Sequence, residues 1–264
     1  MQLGCAQDAL IGFSGFVGST LIKQASFDSL YRSTNINLIA GKCFNNVVCA
    51  GAPAQKWIAN HDPDADRKKI EALIAQLKNI SCKTFVLIST VDVFKTPIAV
   101  DEDTPIDVAG LHAYGLNRYT LEQFVRNHFP QHLIVRLPGL VGPGLRKNLI
   151  FDFLNGNNLS AFDCRSIFQY YPMINLWHDI QTAMMAGIRL IHLTAEPISV
   201  EEVSLQCFGK SFELQQMTKP IVYDMRTNYA KLYGAAGLYQ YSRRESIQAI
   251  RAYAQSEPIK PKGN

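Results

Sequence analysis

Several features that mark membrane, secreted and nucleic-acid-binding proteins are missing from this sequence. No apolar run approaches the roughly 20 residues that a membrane-spanning helix needs. No basic stretch followed by an apolar one occurs at the N-terminus, so no secretory signal is predicted. The 26 basic and 22 acidic residues are scattered, and the net charge is only +4. We therefore expect a cytoplasmic protein that binds neither membranes nor nucleic acid.

Cysteine is sparse, and its spacing indicates neither a metal site nor a disulfide framework. The six residues lie far apart, without a CxxC pair or histidines at metal-ligand spacing. We expect buried or incidental reduced thiols and no metal. The residues concerned are Cys5, Cys43, Cys49, Cys82, Cys164 and Cys207.

What the chain does have is an alternation of short apolar segments with amphipathic ones. A length of 264 residues with 47% hydrophobic content suffices for one sizeable domain with a small appendage. The alternation predicts an α/β fold with a doubly wound parallel sheet, whose strands are covered on both faces. Strands are predicted at 9–13, 29–32, 46–50, 84–89 and 132–137, and helices at 17–24, 64–78 and 114–127.

After about residue 140 the alternation loosens, and two capping boxes, Ser199 with Glu202 and Ser242 with Glu245, indicate later helices. We divide the chain at residue 165. Residues 1–165 are predicted to bind a dinucleotide, and residues 166–264 to form a small, mainly helical substrate-covering region, partly interleaved with the first.

The segment between the first predicted strand and helix carries Gly12, Gly15 and Gly18 in a GxxGxxG spacing. Such a loop needs glycine for a tight turn, for close approach of pyrophosphate, and for packing of helix on strand. Phosphate would then lie at the helix N-terminus, where Phe16 and Val17 follow the second glycine. This pattern predicts a Rossmann-type dinucleotide site, although an ordinary glycine-rich turn would show the same spacing.

The end of the second predicted strand bears on the choice of cofactor. NAD sites usually carry an acid here, which binds the ribose 2′-hydroxyl. This chain instead has Arg32, Ser33, Thr34 and Asn35. Arg32 is suited to a 2′-phosphate, so NADP is predicted in preference to NAD. A solvated surface arginine is the alternative.

Two further segments carry candidate catalytic groups. Ser89 and Thr90 end a predicted strand, where a sheet faces its ligand crevice. Tyr114 and Arg118 are four residues apart and so share a helix face. A fixed cation favours the phenolate of a tyrosine and moves its pKa towards neutrality, which suits general acid–base chemistry. The hydroxyl of Thr90 would bind the substrate oxygen.

The ordered motifs resemble the extended short-chain dehydrogenase/reductases, a family of nucleotide-sugar epimerases, dehydratases and 4-keto reductases. The segment containing Ser89 and Thr90 is similar to the strand-end motif of dTDP-4-dehydrorhamnose reductases. The resemblance is carried by the N-terminal GxxGxxG and by VVCAGAP, LISTVDVF, AYGLNR and IVRLPGLVGPG.

The resemblance implies an NAD(P)-dependent oxidoreductase or epimerase acting on a nucleotide sugar, and a homodimer is common in the family. Thr90 would be the catalytic hydroxyl and Tyr114 the acid–base. Arg118 would stand where the family has a lysine that contacts the nicotinamide ribose. The remaining cofactor contacts would be made by Gly12, Gly15, Phe16, Val17, Gly18, Arg32, Ala50, Gly51, Ala52, Ser89 and Pro138.

Arg118 is the departure from the family pattern. Arginine keeps a permanent charge, but its planar fork is larger than an ammonium group and does not readily relay a proton. The alternative function is therefore a cofactor-binding regulatory or scaffold protein with a degraded catalytic site. A third alternative is an enzyme with a non-sugar substrate, such as a small ketone or lactone.

Overall fold

A computed structural model describes residues 6–157, 159–215 and 219–259. The strands in these residues are β1 (Ala9–Ile11), β2 (Ser29–Tyr31), β3 (Cys43–Cys49), β4 (Ser81–Thr90), β5 (Ile98–Val100), β6 (His132–Leu137), β7 (Gly139–Val141), β8 (Ile167–Phe168), β9 (Tyr170–Pro172), β10 (Leu190–His192), β11 (Ile198–Ser199) and β12 (Asp224–Met225). The α-helices are α1 (Phe16–Gln24), α2 (Lys56–His61), α3 (Pro63–Leu77), α4 (Ala113–His128), α5 (Leu149–Asn155), α6 (Leu176–Met185), α7 (Val200–Phe208) and α8 (Arg243–Ser256).

The central sheet confirms the predicted Rossmann-type α/β fold. Its six strands are ordered β10-β6-β4-β3-β1-β2, and β1 pairs in parallel with both β2 and β3. The chain leaves β1 for β2 on one side and then returns to build the sheet outward from β3 on the other. The direction of winding therefore reverses beside β1, which is the place where ligands bind in sheets of this kind.

The predicted strands are all present, and those inside the sheet are largely apolar and covered on both faces. Every residue of β1 and β6 is buried, as is the stretch from Phe85 to Ser89 in β4. Phe13 and Ala50, which we expected to end two strands, lie beyond them in the turns. The edge strand β10 was not predicted from the sequence.

The predicted helices are also confirmed, with no end displaced by more than one residue. Helix α3 begins at Pro63 after Asp62, whose side chain accepts a hydrogen bond from the amide of Ala65. Ser242 and Glu245 form a reciprocal capping box at the start of α8, as predicted.

The described residues divide into two compact units. The first holds the residues up to Lys95 together with Thr104–Arg136 and Leu176–Ile191. The second holds Thr96–Asp103, the described part of Leu137–Asn175, and the described residues from His192 onward. It contains α5, α7 and α8 with short strand pairs such as β7 with β9. Both units are discontinuous in sequence, whereas the domain division at residue 165 stays a prediction.

The cysteines follow the prediction in part. Cys49, Cys82, Cys164 and Cys207 are free thiols, and burial raises the pKa of Cys49 to about 11. Cys43 is disulfide-bonded, so the expectation of a reduced thiol is wrong there, and Cys5 lies outside the described residues.

The described part of the chain contains neither a candidate membrane span nor a candidate metal cluster. None of its helices is both long and apolar enough to cross a membrane. Nor do three or more His, Cys, Asp or Glu side chains converge there as they would around a metal ion.

A buried ion pair ties α4 to the sheet in the first unit. Arg136 of β6 donates through Nε and an Nη atom to the two oxygens of Glu122, at 3.0 and 2.7 Å. The guanidinium of Arg136 also lies 5.1 Å from the ring centroid of Phe94. Glu122 is 0% and Arg136 is 2% exposed, so neither charge is hydrated. Each therefore depends on the other for its compensation.

We expect Arg136→Met to lower the free energy of unfolding by about 3–5 kcal/mol, because it leaves a carboxylate buried without its counter-charge. The double variant Glu122→Leu/Arg136→Met should recover most of that loss. Urea titration followed by circular dichroism measures both. Arg67→Met, which breaks the exposed pair with Asp64, is the control and should cost less than about 1 kcal/mol. A double variant as unstable as Arg136→Met would contradict this account.

Candidate active site

The turn after β1 is packed directly against the turn after β3. Gly12 has φ +86°, and a Cβ built on it would lie 2.3 Å from the carbonyl oxygen of Ala50. A Cβ on Gly18 would lie 2.1 Å from the carbonyl oxygen of Gly12. Neither approach leaves room for a side chain, so glycine at these positions fixes the contacts of β1 with α1 and with the Ala50–Gly51–Ala52 turn.

Gly15 has more room than Gly12 and Gly18, because a Cβ there would meet only the carbonyl oxygen of Gly12, at 3.4 Å. It is the N-cap of α1, with extended φ and ψ and no side-chain cap. The first-turn amides of a helix, here those of Phe16 and Val17, have no partner within the helix. An anionic group can therefore approach the helix start where the missing side chain leaves space.

Arg32 lies directly after β2 and is exposed. Its Nε donates to the Thr34 hydroxyl at 3.0 Å, and its guanidinium lies 5.7 Å from the centroid of the Phe13 ring. The side chain of Asn35 folds back to accept from the Arg32 amide at 2.7 Å. No carboxylate occurs in this turn, so its charge is positive, as the sequence predicted.

Thr90 and Tyr114 come together at the carboxyl end of β4. Gly115 explains why: a Cβ on it would lie 2.1 Å from the carbonyl oxygen of Asp92, so only glycine lets the start of α4 approach this turn. The hydroxyl of Thr90 accepts from the amide of Asp92 at 3.2 Å and lies 3.5 Å from a carboxylate oxygen of Asp92, to which it donates. The structure therefore brings the two predicted catalytic residues to the same end of β4.

The first turn of α4 is fixed by two further side chains. His112 is its N-cap, and its Nδ1 accepts from the amide of Gly115 at 3.0 Å. Asn60 of α2 accepts from the amide of Tyr114, also at 3.0 Å. The backbone that carries the phenol is thereby anchored by a side chain next to it in sequence and by one from α2.

Arg118 is buried and occupied by protein partners. It is 3% exposed, forms an ion pair with Asp66 of α3, and donates to the carbonyl of Pro53. Asn117 donates to the same carboxylate oxygen of Asp66 at 2.8 Å. The guanidinium lies 4.0 Å from the ring centroid of Tyr114, while its Nε is buried without a hydrogen-bond partner.

The pKa of Tyr114 is raised above its ordinary value, mainly because burial disfavours the phenolate. Arg118 lowers this pKa, Asp92 raises it, and the hydroxyl of Thr90 and the charge of Lys56 lower it. The expectation of a net shift towards neutrality is therefore wrong in direction, although the arginine acts with the expected sign. Desolvation of a phenol that is only 8% exposed outweighs the nearby cations.

Two predicted cofactor residues have other surroundings. The hydroxyl of Ser89 donates to Glu122 at 2.6 Å, so this side chain belongs to the buried ion pair with Arg136. Pro138 lies between β6 and β7 and is part of the second unit. Their cofactor contacts stay predictions.

The sequence analysis missed the polar residues that surround the tyrosine. Asp66 is 52 positions from Arg118, and Asn60 is 54 from Tyr114, so no spacing in the sequence connects them. Lys56, at the start of α2, forms an ion pair of 2.7 Å with Asp92. Of these residues only Asp92 carried a signal, because it lies within the STVDVF segment.

Comparison with solved structures decides the fold. A dTDP-4-dehydrorhamnose reductase from Clostridium acetobutylicum is 17% identical, over 94% of this chain and 98% of that one, with a TM-score of 0.69. The corresponding enzyme from Bacillus anthracis, in complex with NADP, is 16% identical, over 96% and 99%, with a TM-score of 0.72. The chain has the fold of the extended short-chain dehydrogenase/reductases.

The same fold includes epimerases. A UDP-glucuronic acid 4-epimerase variant from Bacillus cereus, in complex with a fluorinated UDP-sugar and NAD, is 17% identical, over 94% and 98%, with a TM-score of 0.63. No protein-family model and no curated protein sequence matches the chain. The short-chain dehydrogenase/reductase resemblance is thus confirmed at the level of the fold.

The glycine contacts predict that an alanine at the buried Gly18 lowers the stability of the fold and that one at the exposed Gly237 does not. Gly18→Ala should lower the free energy of unfolding by about 1–3 kcal/mol, because the new methyl overlaps the Gly12 carbonyl. Gly237→Ala is the matched control, since a Cβ there meets nothing within 4 Å. Denaturant unfolding of both variants measures the difference, and equal stabilities would show that α1 is not packed as described.

Proposed function

We propose that the chain is an NAD(P)-dependent oxidoreductase, epimerase or 4-keto reductase that acts on a nucleotide sugar. The observation that carries this proposal is that Thr90 and the buried Tyr114 come together at the same sheet edge that carries the glycine turn. A phenol with a cation over its ring, next to a second hydroxyl, suits proton exchange with a carbon-bound oxygen.

The residues present fit a dinucleotide. Gly15 leaves space at the N-terminus of α1, where the amides of Phe16 and Val17 would bind a pyrophosphate. Gly12 and Gly18 hold that turn, and the Ala50–Gly51–Ala52 turn next to it would line the adenosine ribose. Ser89, Arg118 and Pro138 complete the proposed set of cofactor residues.

Bound there, a nicotinamide would supply the donor or acceptor of a hydride. In the oxidative direction Tyr114 takes the hydroxyl proton of the substrate while the hydride leaves the same carbon; in reduction it returns the proton to the oxygen. Thr90 donates a hydrogen bond to the oxygen and positions it. Arg118 lowers the cost of the phenolate through the face of the ring.

The substrate class rests on the kind of protein that shares this fold. The solved structures include reductases of a dTDP-linked sugar and epimerases of UDP-linked sugars. A nucleotide sugar is therefore the small molecule we propose, and homodimerisation stays a prediction.

Tyr114→Phe should abolish turnover, because the ring keeps its packing but loses the ionisable oxygen. NADPH affinity should change by less than about twofold, since the proposed anchor is the glycine turn. Turnover is followed by the change in nicotinamide absorbance with dTDP- and UDP-sugars, and affinity by calorimetry. Retained turnover would remove Tyr114 from the mechanism.

NADP is the proposed cofactor, because Arg32 offers a guanidinium and no acid occurs in its turn. Arg32→Ala should weaken NADPH binding by about tenfold or more, the effect of one charge-assisted hydrogen bond, and should leave NADH binding nearly unchanged. Calorimetric titration with both cofactors measures the ratio. Equal losses for the two would assign Arg32 to a general electrostatic role instead.

A second candidate function is a cofactor-binding regulatory or scaffold protein. The observation in its favour is the Asp66 carboxylate, which neutralises Arg118 and accompanies a raised pKa at Tyr114. This candidate function predicts that the native chain binds NADPH without turnover and that the Arg118→Lys variant gains measurable turnover. Turnover in the native chain would exclude this candidate.

A further inference from the structure

Two side chains hold the guanidinium of Arg32, although Arg32 lies on the surface. Its Nε donates to the hydroxyl of Thr34 at 3.0 Å, and its Cζ lies 5.7 Å from the centroid of the Phe13 ring. The hydroxyl contacts one edge of the planar group, and the ring attracts its charge. These contacts restrict a long side chain that would otherwise rotate freely in water.

The backbone that carries Thr34 is itself held in a closed turn. The amide of Asn35 donates to the carbonyl of Arg32 at 3.0 Å, and the side-chain oxygen of Asn35 accepts from the amide of Arg32 at 2.7 Å. The side-chain nitrogen of Asn35 donates to the carbonyl of Leu30 at 3.1 Å. Asn35 is thus engaged with the backbone through both of its polar atoms. It shapes the turn that presents Thr34 to Arg32.

The other end of the guanidinium is open. An arginine has five N–H donors, one on Nε and four on the two Nη atoms. Within the described residues, the hydrogen bond of the Arg32 side chain is the one from Nε to Thr34. The Nη edge has no protein acceptor in this part of the chain, and such an edge is suited to bidentate contact with a phosphate.

The contact with Phe13 places this cation beside the glycine turn. Phe13 follows Gly12 in the turn after β1, and the amide of Gly12 donates to the carbonyl of Tyr31 at 2.7 Å. The turns after β1 and β2 are therefore joined directly. In a dinucleotide site the pyrophosphate lies at the first of these turns and the adenosine ribose at the second. A guanidinium between them is placed for a phosphate on that ribose.

We infer that Thr34 is a positioning residue for the 2′-phosphate of NADP: by accepting from Nε, it holds the Nη edge of Arg32 in place for that phosphate. This inference rests on the proposed dinucleotide site. Fixing a side chain of many rotamers before a ligand arrives lowers the entropic cost of binding. Thr34 acts through Arg32 and touches no part of the cofactor in this role.

Thr34→Val tests the inference, because it keeps the shape of the side chain and removes the acceptor. NADPH binding should weaken by about three- to tenfold, the range of one hydrogen bond. NADH has no 2′-phosphate, so its affinity should change by less than about twofold. Thr34→Ser keeps a hydroxyl and should bind both cofactors as the native chain does. Calorimetric titration with NADPH and NADH measures these affinities.

A double-mutant cycle separates positioning from direct contact. In the Arg32→Ala background, Thr34→Val should change NADPH affinity by less than about twofold, because the group that it positions is gone. An equal loss in both backgrounds would show that Thr34 binds the phosphate itself, and the inference would be wrong. Equal losses for NADPH and NADH would overturn it as well, since a general disturbance of the turn does not distinguish the two cofactors.

A second measurement needs no cofactor. The Nε–H of Arg32 is assigned in ¹⁵N-edited spectra by its loss in Arg32→Lys, and its exchange with water reports the hydrogen bond to Thr34. Thr34→Val should speed this exchange, whereas Thr34→Ser should not. Thr120→Val is the matched control, because the hydroxyl of Thr120 donates to the carbonyl of Leu116 at 3.0 Å on an exposed part of α4. Native exchange in Thr34→Val would contradict the inference.

These measurements are independent of turnover. A chain that shows the NADPH-specific loss but converts no nucleotide sugar would retain the role of Thr34 and lose the proposed chemistry. A chain that converts a nucleotide sugar, with an NADPH affinity that Thr34→Val leaves unchanged, would do the reverse.

Discussion

Burial of charge on α4 is the constraint on which the candidate site depends. The helix carries Arg118 and Glu122 on its covered side, and both are almost wholly removed from water. One is compensated by Asp66 of α3 and the other by Arg136 of β6. Because an unpaired buried charge is strongly destabilising, α4 is held in one position relative to both elements. These two ion pairs therefore fix the position of Tyr114, which lies in the first turn of the same helix.

The same arrangement limits the acidity of the phenol. A lysine at position 118 would be a compact charge free to turn among several partners, whereas the guanidinium is committed to Asp66 and Pro53. The guanidinium of Arg118 acts on Tyr114 only through its position over the ring. The balance between burial, which disfavours the phenolate, and the smaller effects of Thr90, Asp92 and Lys56 then governs the proton affinity of the site.

The sequence was sufficient for five of the six strands of the sheet, for three of its helices and for the glycine turn, since each depends on a local apolar pattern or on a short motif. It also paired Thr90 with Tyr114, through the resemblance of their motifs to a family. It did not reveal Asp66, Asn60 or Lys56, because their contacts join α2 and α3 to segments more than 30 positions away. Nor did it give the direction in which the pKa of Tyr114 is shifted, because that direction depends on how deeply the ring is buried. Most of the short strands of the second unit were not predicted, because the alternation of apolar and amphipathic segments loosens after about residue 140.

The pairing of Asp66 with Arg118 has a consequence for how the chain folds. Its members are 52 positions apart, so the intervening segment must close into a loop before they meet. Burying either charge without the other costs free energy, so the pair is favourable only when both helices dock together. The tyrosine therefore acquires its environment when α3 and α4 associate, not when α4 first forms. Assembly of the site and completion of the fold are one cooperative event, and a partly folded chain has no such site to offer.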